Sequence, residues 1–251
     1  MRAIRAAFSF LTILPLGRPE LEPEKLAGAS AWFPLVGALL GGIYFGMAKL
    51  LAGRCPELLI AFLILLDMVI ITGGLHLDGL ADWADGLGGK DRGDRLRIMK
   101  DPARGSFGII AIALVLLGKT ISLGALLTAK NFWPIFLAPI LARFSLTLLI
   151  SIMPYARASG TGEAFARYKR KWHLLVAGII TLAPLIFLNL QVLWISLAAV
   201  LTVGLIFWRL GMRLLAGFTG DLLGACAEAC ELAVLLIAAL VGQAYFFNKL
   251  W

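Results

Sequence analysis

The sequence predicts an all-α, polytopic transmembrane bundle of about seven spans, preceded by an N-terminal interfacial or re-entrant helix. Hydrophobic residues fill 61% of the 251 positions and charged residues only 15%, and mean hydropathy is +0.91. Soluble domains run about 45–50% apolar, glycine included, and about 25% charged. The apolar residues gather in stretches close to the roughly 20 residues that a helix needs to cross a bilayer. The basic residues fall between those stretches. A soluble body of this length could not bury so much apolar surface; lipid can. The length fits one integral membrane domain, residues 1–251, without a second globular unit.

The chain opens with Arg2 and Arg5 and then the apolar run Phe8–Leu14. This resembles a secretory leader, but Pro15, Gly17, Arg18 and Pro19 stand where a small-residue cleavage site belongs. An uncleaved helix at the interface is therefore expected. Seven stretches follow: Gly28–Leu51, Leu58–Leu75, Phe107–Ala129, Phe132–Met153, Leu174–Leu188, Leu190–Trp208 and Leu232–Phe247. The fifth is short, and its Pro184 implies a kink. Asn189 and Gln191 mark the turn before the sixth. Trp32, Phe132, Trp133, Trp172, Trp208, Tyr245 and Phe246 sit near stretch ends, as interface anchors do.

Loop charge sets the orientation. Segment 76–106 carries Lys90, Arg92, Arg95, Arg97, Lys100 and Arg104; segment 154–173 carries Arg157, Arg167, Lys169, Arg170 and Lys171; segment 209–231 carries Arg209 and Arg213. With seven spans these three loops share one side, and lysine and arginine retention makes it the cytoplasm, of a bacterial inner membrane. The net charge of +8 is thereby read as topology and not as nucleic-acid binding. Cys55, Cys226 and Cys230 form neither a metal motif nor a disulfide framework; Cys226 and Cys230, at i and i+4, read as small packing residues.

The chemistry concentrates in three places. Asp78, Asp82 and Asp85 stand at i, i+4 and i+7, within about a 60° arc of one helix face. Like charges one turn apart repel, and a cation removes that penalty. Oxygen ligands without cysteine or clustered histidine favour Mg2+ or Mn2+. The competing reading is a solvated acidic face balanced by nearby arginines. Arg92, Arg95, Arg97, Lys100 and Arg104, with Lys100 and Arg104 the better placed, then serve as phosphate clamps or as ordinary positive-inside charge. Asp221 and Glu228, at i and i+7 after a Thr219 cap, share the same predicted side, so two metals or one metal and a base remain open. His76, two residues before the acidic stripe, is either a general base or a helix-end hydrogen-bonder. Asp67 and Lys119 fall within spans, where charge is costly, and either serve function or pair with each other.

Three ordered segments carry a resemblance: Gly-Gly-Leu-His-Leu-Asp-Gly-Leu-Ala-Asp-x-x-Asp-Gly at 73–86, Arg-Ile-Met-Lys-Asp-x-x-x-Gly-x-Phe-Gly at 97–108, and Thr-Gly-Asp-x-x-Gly-Ala-x-x-Glu at 219–228. Together with Phe-Leu-Thr-x-Leu-Pro near the start and Trp-Phe-Pro-Leu-Val-Gly at 32–37, they resemble the adenosylcobinamide-GDP ribazoletransferase (cobalamin synthase) family over nearly the whole chain. Trp83, and Gly217-Phe218 before the Thr-Gly-Asp, depart from the pattern without touching an acid. The resemblance implies a Mg2+-dependent enzyme that joins adenosylcobinamide-GDP to α-ribazole, or its 5′-phosphate, and releases GMP. In that role Asp78, Asp82 and Asp85 hold the metal, Lys100 and Arg104 neutralise the leaving GMP, and His76 or Asp221 takes the hydroxyl proton. Homo-oligomerisation stays open.

Two rivals carry less. A CDP-alcohol phosphotransferase acting on lipid shares Asp-Gly-x-x-Ala, but the arginine and later aspartates of its motif do not line up. An ion-coupled transporter using Asp67, Lys119 and Arg143 would concentrate acids at the bilayer midplane within repeats; here they lie at one face.

Overall fold

The computed structural model describes residues 2–14, 22–103, 105–184 and 190–248, and among them there is no strand. Helix α1 (Arg2–Leu11) is amphipathic and turns Ala6, Ala7 and Leu11 inward, so the expected N-terminal helix forms. The Ile13 amide donates to the Ile71 carbonyl at 2.9 Å, tying the end of α1 to α4 (Glu57–Thr72). Between them, α2 (Pro23–Ala27) and a 3-10 turn (Gly28–Trp32) lead into α3 (Phe33–Leu51).

Helix α3 packs on α8 (Trp133–Ile152), the most buried helix of the bundle. Their backbones touch. A Cβ at Gly37 would lie 2.4 Å from the Pro139 carbonyl oxygen, and one at Gly41 2.2 Å from that of Phe136. In lipid, where no hydrophobic drive pushes helices together, small residues permit the close approach on which association depends.

Helix α4 ends at Gly73 and Gly74, both left-handed with φ +60° and +67°. Glycine adopts two such positions in a row without a Cβ penalty, and the chain turns 86° into α5 (Leu75–Gly86). The second expected span is thus the first arm of a bent pair. The short α6 (Arg92–Ile98) is capped by Asp91, which accepts from the Asp94 amide at 2.9 Å. Helices α7 (Ser106–Thr128) and α8 match the third and fourth stretches. After α9 (Thr161–Arg167) come α10 (Lys171–Leu182), α11 (Leu190–Leu215) and α12 (Gly220–Asn248).

Five helical segments among the described residues are long and apolar enough to cross a membrane, or six with the bent pair as one span. The expected count of about seven is therefore loose. Helix α10 has 12 residues, roughly 18 Å at the helical rise, against a hydrocarbon core of about 30 Å. Residues 185–188 of the fifth stretch, and Asn189 of the expected turn, lie outside the described residues. Outward-facing Phe107, Ile109, Ile110, Leu114, Leu117 and Ile121 on α7 are exposed, as a lipid-facing stripe is. The chain is a multi-pass membrane protein.

The largest correction concerns 209–231, expected as a loop. It is helix on both sides of the turn 216–219. Glu228 and Glu231, near its C-terminal end, are buried and paired: Lys119 of α7 donates to Glu228 at 2.8 Å and to Glu231 at 2.5 Å, and Arg143 of α8 donates to Glu231. Lys119 does not pair with Asp67, whose Oδ2 is buried without a hydrogen-bond partner among the described residues.

Replacing Gly41 by alanine is expected to cost about 1–3 kcal/mol through overpacking, read as a lower thermal midpoint in detergent. Gly42 faces open space, so Gly42→Ala is expected to leave the midpoint unchanged or raise it slightly. Equal behaviour of the two variants would refute the α3–α8 contact.

Candidate active site

The site is built where α5 crosses α12. A Cβ on Gly79 would lie 3.1 Å from the Asp221 Cα, and one on Gly224 would lie 3.1 Å from the His76 carbonyl oxygen and 3.3 Å from the Gly79 Cα. Two facing glycines thus let the backbones meet, and the meeting brings His76 and Asp78 alongside Asp221. A cavity of about 260 Å3 opens there, lined at its polar end by His76, Asp78, Gly220 and Asp221 and elsewhere by Phe10, Phe33, Leu146, Ile150 and Phe165. A wider cleft of about 720 Å3 runs between α1, the α4–α5 bend and α7, past Ser9, Gly73, Gly74 and Ile112. Phe10, Leu75 and Asp78 line both. Asp78 is therefore the carboxylate at the junction of the two spaces, and Asp82 follows it one turn on, half-buried.

The third acid of the stripe faces elsewhere. Asp85 accepts from the Gly105 and Gly108 amides, one on each oxygen and both at 2.8 Å. It satisfies orphan donors at the start of α7. Gly105 and Gly108 are needed for this: a Cβ would come 2.3 Å and 2.5 Å from the Asp85 carboxylate. Among the described residues no three His, Cys, Asp or Glu side chains converge as a metal cage.

Other expected site residues separate. His76 is buried at the cavity wall. Asp221 lines the cavity and accepts from Arg157 at 2.7 Å. Glu228, expected to contact substrate, is buried seven residues deeper in α12 and pairs with Lys119 at 2.8 Å. Arg97 pairs with Asp94 at 2.6 Å on the surface of α6. That hydrogen bond, with a second from the Lys90 amide, holds the Asp94 carboxyl below its usual range. Its contribution to α6 is present above the ordinary carboxylate pKa and is lost as pH falls through the lowered one. Arg95 packs against Gly89, and Lys100 is exposed beyond α6; neither they nor Arg97 line the cavity or the cleft. Arg104 lies outside the described residues.

Arg92, one of the basic residues expected as a phosphate clamp or loop charge, and Arg157, expected as loop charge alone, both bridge separate segments. Arg92 donates to the Leu215 and Ala156 carbonyls at 2.7 and 2.8 Å, fastening α6 to the end of α11. Arg157 is carried by the segment after α8, which is itself pinned to the α11–α12 turn. The Ala156 amide donates to the Phe218 carbonyl and the Phe218 amide to the Pro154 carbonyl, both at 2.9 Å, and the Tyr155 and Phe218 rings meet tilted at 57°, their centroids 5.4 Å apart. A basic loop offers no periodicity that would single these two out.

A family model for cobalamin-5-phosphate synthase matches residues 3–239. The chain belongs to the cobalamin-5-phosphate synthase family. A protein of Syntrophobacter fumaroxidans named adenosylcobinamide-GDP ribazoletransferase is 42% identical over 240 residues, 93% of this chain and 96% of its own. Proteins of the same name from Chlorobaculum tepidum and Pseudomonas fluorescens are 43% identical over 243 residues and 42% over 240, covering 93% of this chain and 93% and 97% of their own. No solved structure matches the chain. Membership in the cobalamin-5-phosphate synthase family makes the chain an enzyme, a transferase of cobalamin synthesis. A transferase has two substrates to seat, and two spaces meeting at Asp78 suit that need.

Asp85→Ala is expected to lower the thermal midpoint by the loss of a helix cap, about 1 kcal/mol, and Asp85→Asn, which keeps one acceptor, by less. If both variants lost activity equally while keeping the wild-type midpoint, the capping role of Asp85 would be wrong.

Proposed function

We propose that the chain joins adenosylcobinamide-GDP to α-ribazole or its 5′-phosphate, releasing GMP and forming adenosylcobalamin or its phosphate, with Mg2+ as cofactor. The observation that carries this reading is Asp78 at the junction of cleft and cavity, with Asp82 one turn further along α5. Mg2+ takes one or two protein carboxylates and completes its shell with water and substrate phosphates. Asp78 and Asp82 fit that donor set, and a fully protein-caged metal does not fit among the described residues. When bound, the cation offsets negative charge on the diphosphate.

The remaining steps belong to side chains. A ribose hydroxyl attacks the cobinamide-linked phosphorus; a new P–O bond forms, the bond to the GMP oxygen breaks, and GMP leaves. The hydroxyl proton passes to an imidazole nitrogen of His76 at the cavity wall. Asp221 stays paired with Arg157 and holds that guanidinium beside the reacting groups. The basic segments 76–106 and 154–173 put these groups on the cytoplasmic side of the inner membrane. A cysteine replacing Lys100 should then react with an impermeant maleimide only after cells are permeabilised; labelling in intact cells would reverse the orientation.

The activity is tested with purified protein in detergent, adenosylcobinamide-GDP, α-ribazole and Mg2+. GMP release is expected from the wild type, and a loss of about 100-fold or more in Asp82→Asn, the scale of a charge-stabilising group in a closed site. No GMP from the wild type sinks the reaction, and undiminished release from Asp82→Asn sinks the metal role of that carboxylate.

A further inference from the structure

The cavity and the cleft differ in shape and lining, and the difference assigns them to different substrates. The cavity, about 260 Å3, lies just below the range of about 300–1,000 Å3 that holds drug-sized ligands. A corrinoid does not fit, and neither does a whole nucleoside diphosphate with its conjugate. A small flat molecule does. One end is aromatic: the Phe10, Phe33 and Phe165 rings touch one another, with centroids 5.9, 5.3 and 5.8 Å apart. These rings come from three elements (α1, the start of α3 and α9), so the wall exists only in the folded bundle. The other end holds His76, Asp78 and Asp221. The cleft, by contrast, is open and wide, and it reaches the same Asp78 from the other side.

We propose that the smaller cavity seats the acceptor, with its apolar bicyclic base against the phenylalanine wall and its ribose at the acidic end, while the cleft receives the donor. The proposal rests on the transfer reaction above and adds to it which space holds which substrate. An α-linked benzimidazole nucleoside has the required polarity: a flat apolar base suited to aromatic contact at one end and hydroxyls at the other. Seated this way, the ribose hydroxyls lie beside His76 and Asp78, where the donor's diphosphate arrives from the cleft. Selection of the base follows from the size and apolarity of the wall, not from hydrogen bonds to it.

Two variants of opposite sign test this in the full chain, by initial-rate kinetics with each substrate varied separately. Leu146→Phe narrows the cavity and is expected to raise KM for α-ribazole by about tenfold or more, the scale of one lost aromatic or apolar contact. KM for adenosylcobinamide-GDP should stay within about twofold. Phe165→Ala opens the wall and is expected to favour a riboside whose base carries a third fused ring over α-ribazole, reversing the wild-type order. A KM rise confined to the donor assigns the cavity to the donor and overturns the proposal. A fall in kcat with no KM difference between substrates makes the residues packing only and overturns it too. The reaction itself is judged separately, by GMP release from the wild type. If none appears, equilibrium binding of α-ribazole to the wild type but not to Leu146→Phe still supports the cavity, and equal binding to both rejects it.

Discussion

The site depends on one contact: the backbones of α5 and α12 touching at Gly79 and Gly224. The approach needs hydrogen in place of a side chain on both helices. A methyl on either would meet backbone atoms, which cannot rotate away as a side-chain end can. From that contact follow the neighbourhood of His76, Asp78 and Asp221, the volume of the cavity, and the reach of Arg157. The glycine pair at the α4–α5 bend acts in concert with it. Without the 86° turn, α5 would continue the line of α4, and its acidic face would not meet the start of α12.

Charge is handled in two ways, according to depth. Around the cavity, carboxylates line space into which a ligand can come. Inside the bundle, Lys119, Arg143, Glu228 and Glu231 form a cluster of two positive and two negative groups, each 6% exposed or less. Breaking such a buried pair by removing one partner costs about 3–5 kcal/mol, whereas exchanging a whole set for apolar residues is often neutral. The cluster joins α7, α8 and α12. It fixes the axial position of α12, and hence how far Asp221 stands from α5.

Much of the fold was legible in the amino-acid order because lipid leaves a simple signature: long apolar runs, with basic residues between them. The N-terminal helix, α3, α7 and α8 stand where that signature put them. It failed at 209–231, grouped with the polar loops although Thr219 marks a helix start within it, because the partners of Glu228 and Glu231 come from Lys119 and Arg143 on other helices. It also overstretched the second span, since the apolar run continues past Gly73 while the helix axis does not. Within the site, helical spacing placed Asp78, Asp82 and Asp85 on one face. Spacing along one helix carries no information about which acid meets the start of another, and Asp85 is taken by the amides of Gly105 and Gly108. Arg157 and the phenylalanine wall were invisible for the same reason: their roles arise from contacts between distant segments.

The Lys119 cluster also bears on how the protein is made. The carboxylates that neutralise Lys119 lie 109 and 112 residues further along the chain. At about 5–20 residues per second, translation supplies them roughly 5–20 s after the lysine. During that interval α7 carries a lone ammonium near its middle, a burden of about 2.5–3.5 kcal/mol for a helix leaving the translocon. Helix α7 is strongly apolar even with Lys119 counted, at mean hydropathy 2.2, and partitions into lipid nonetheless. It can pack on α4 and α5 in that interval, but the pairing of Lys119 is completed only with α12. A chain interrupted before residue 228 would display an unpaired membrane charge, a mark by which quality control can tell an unfinished bundle from a finished one.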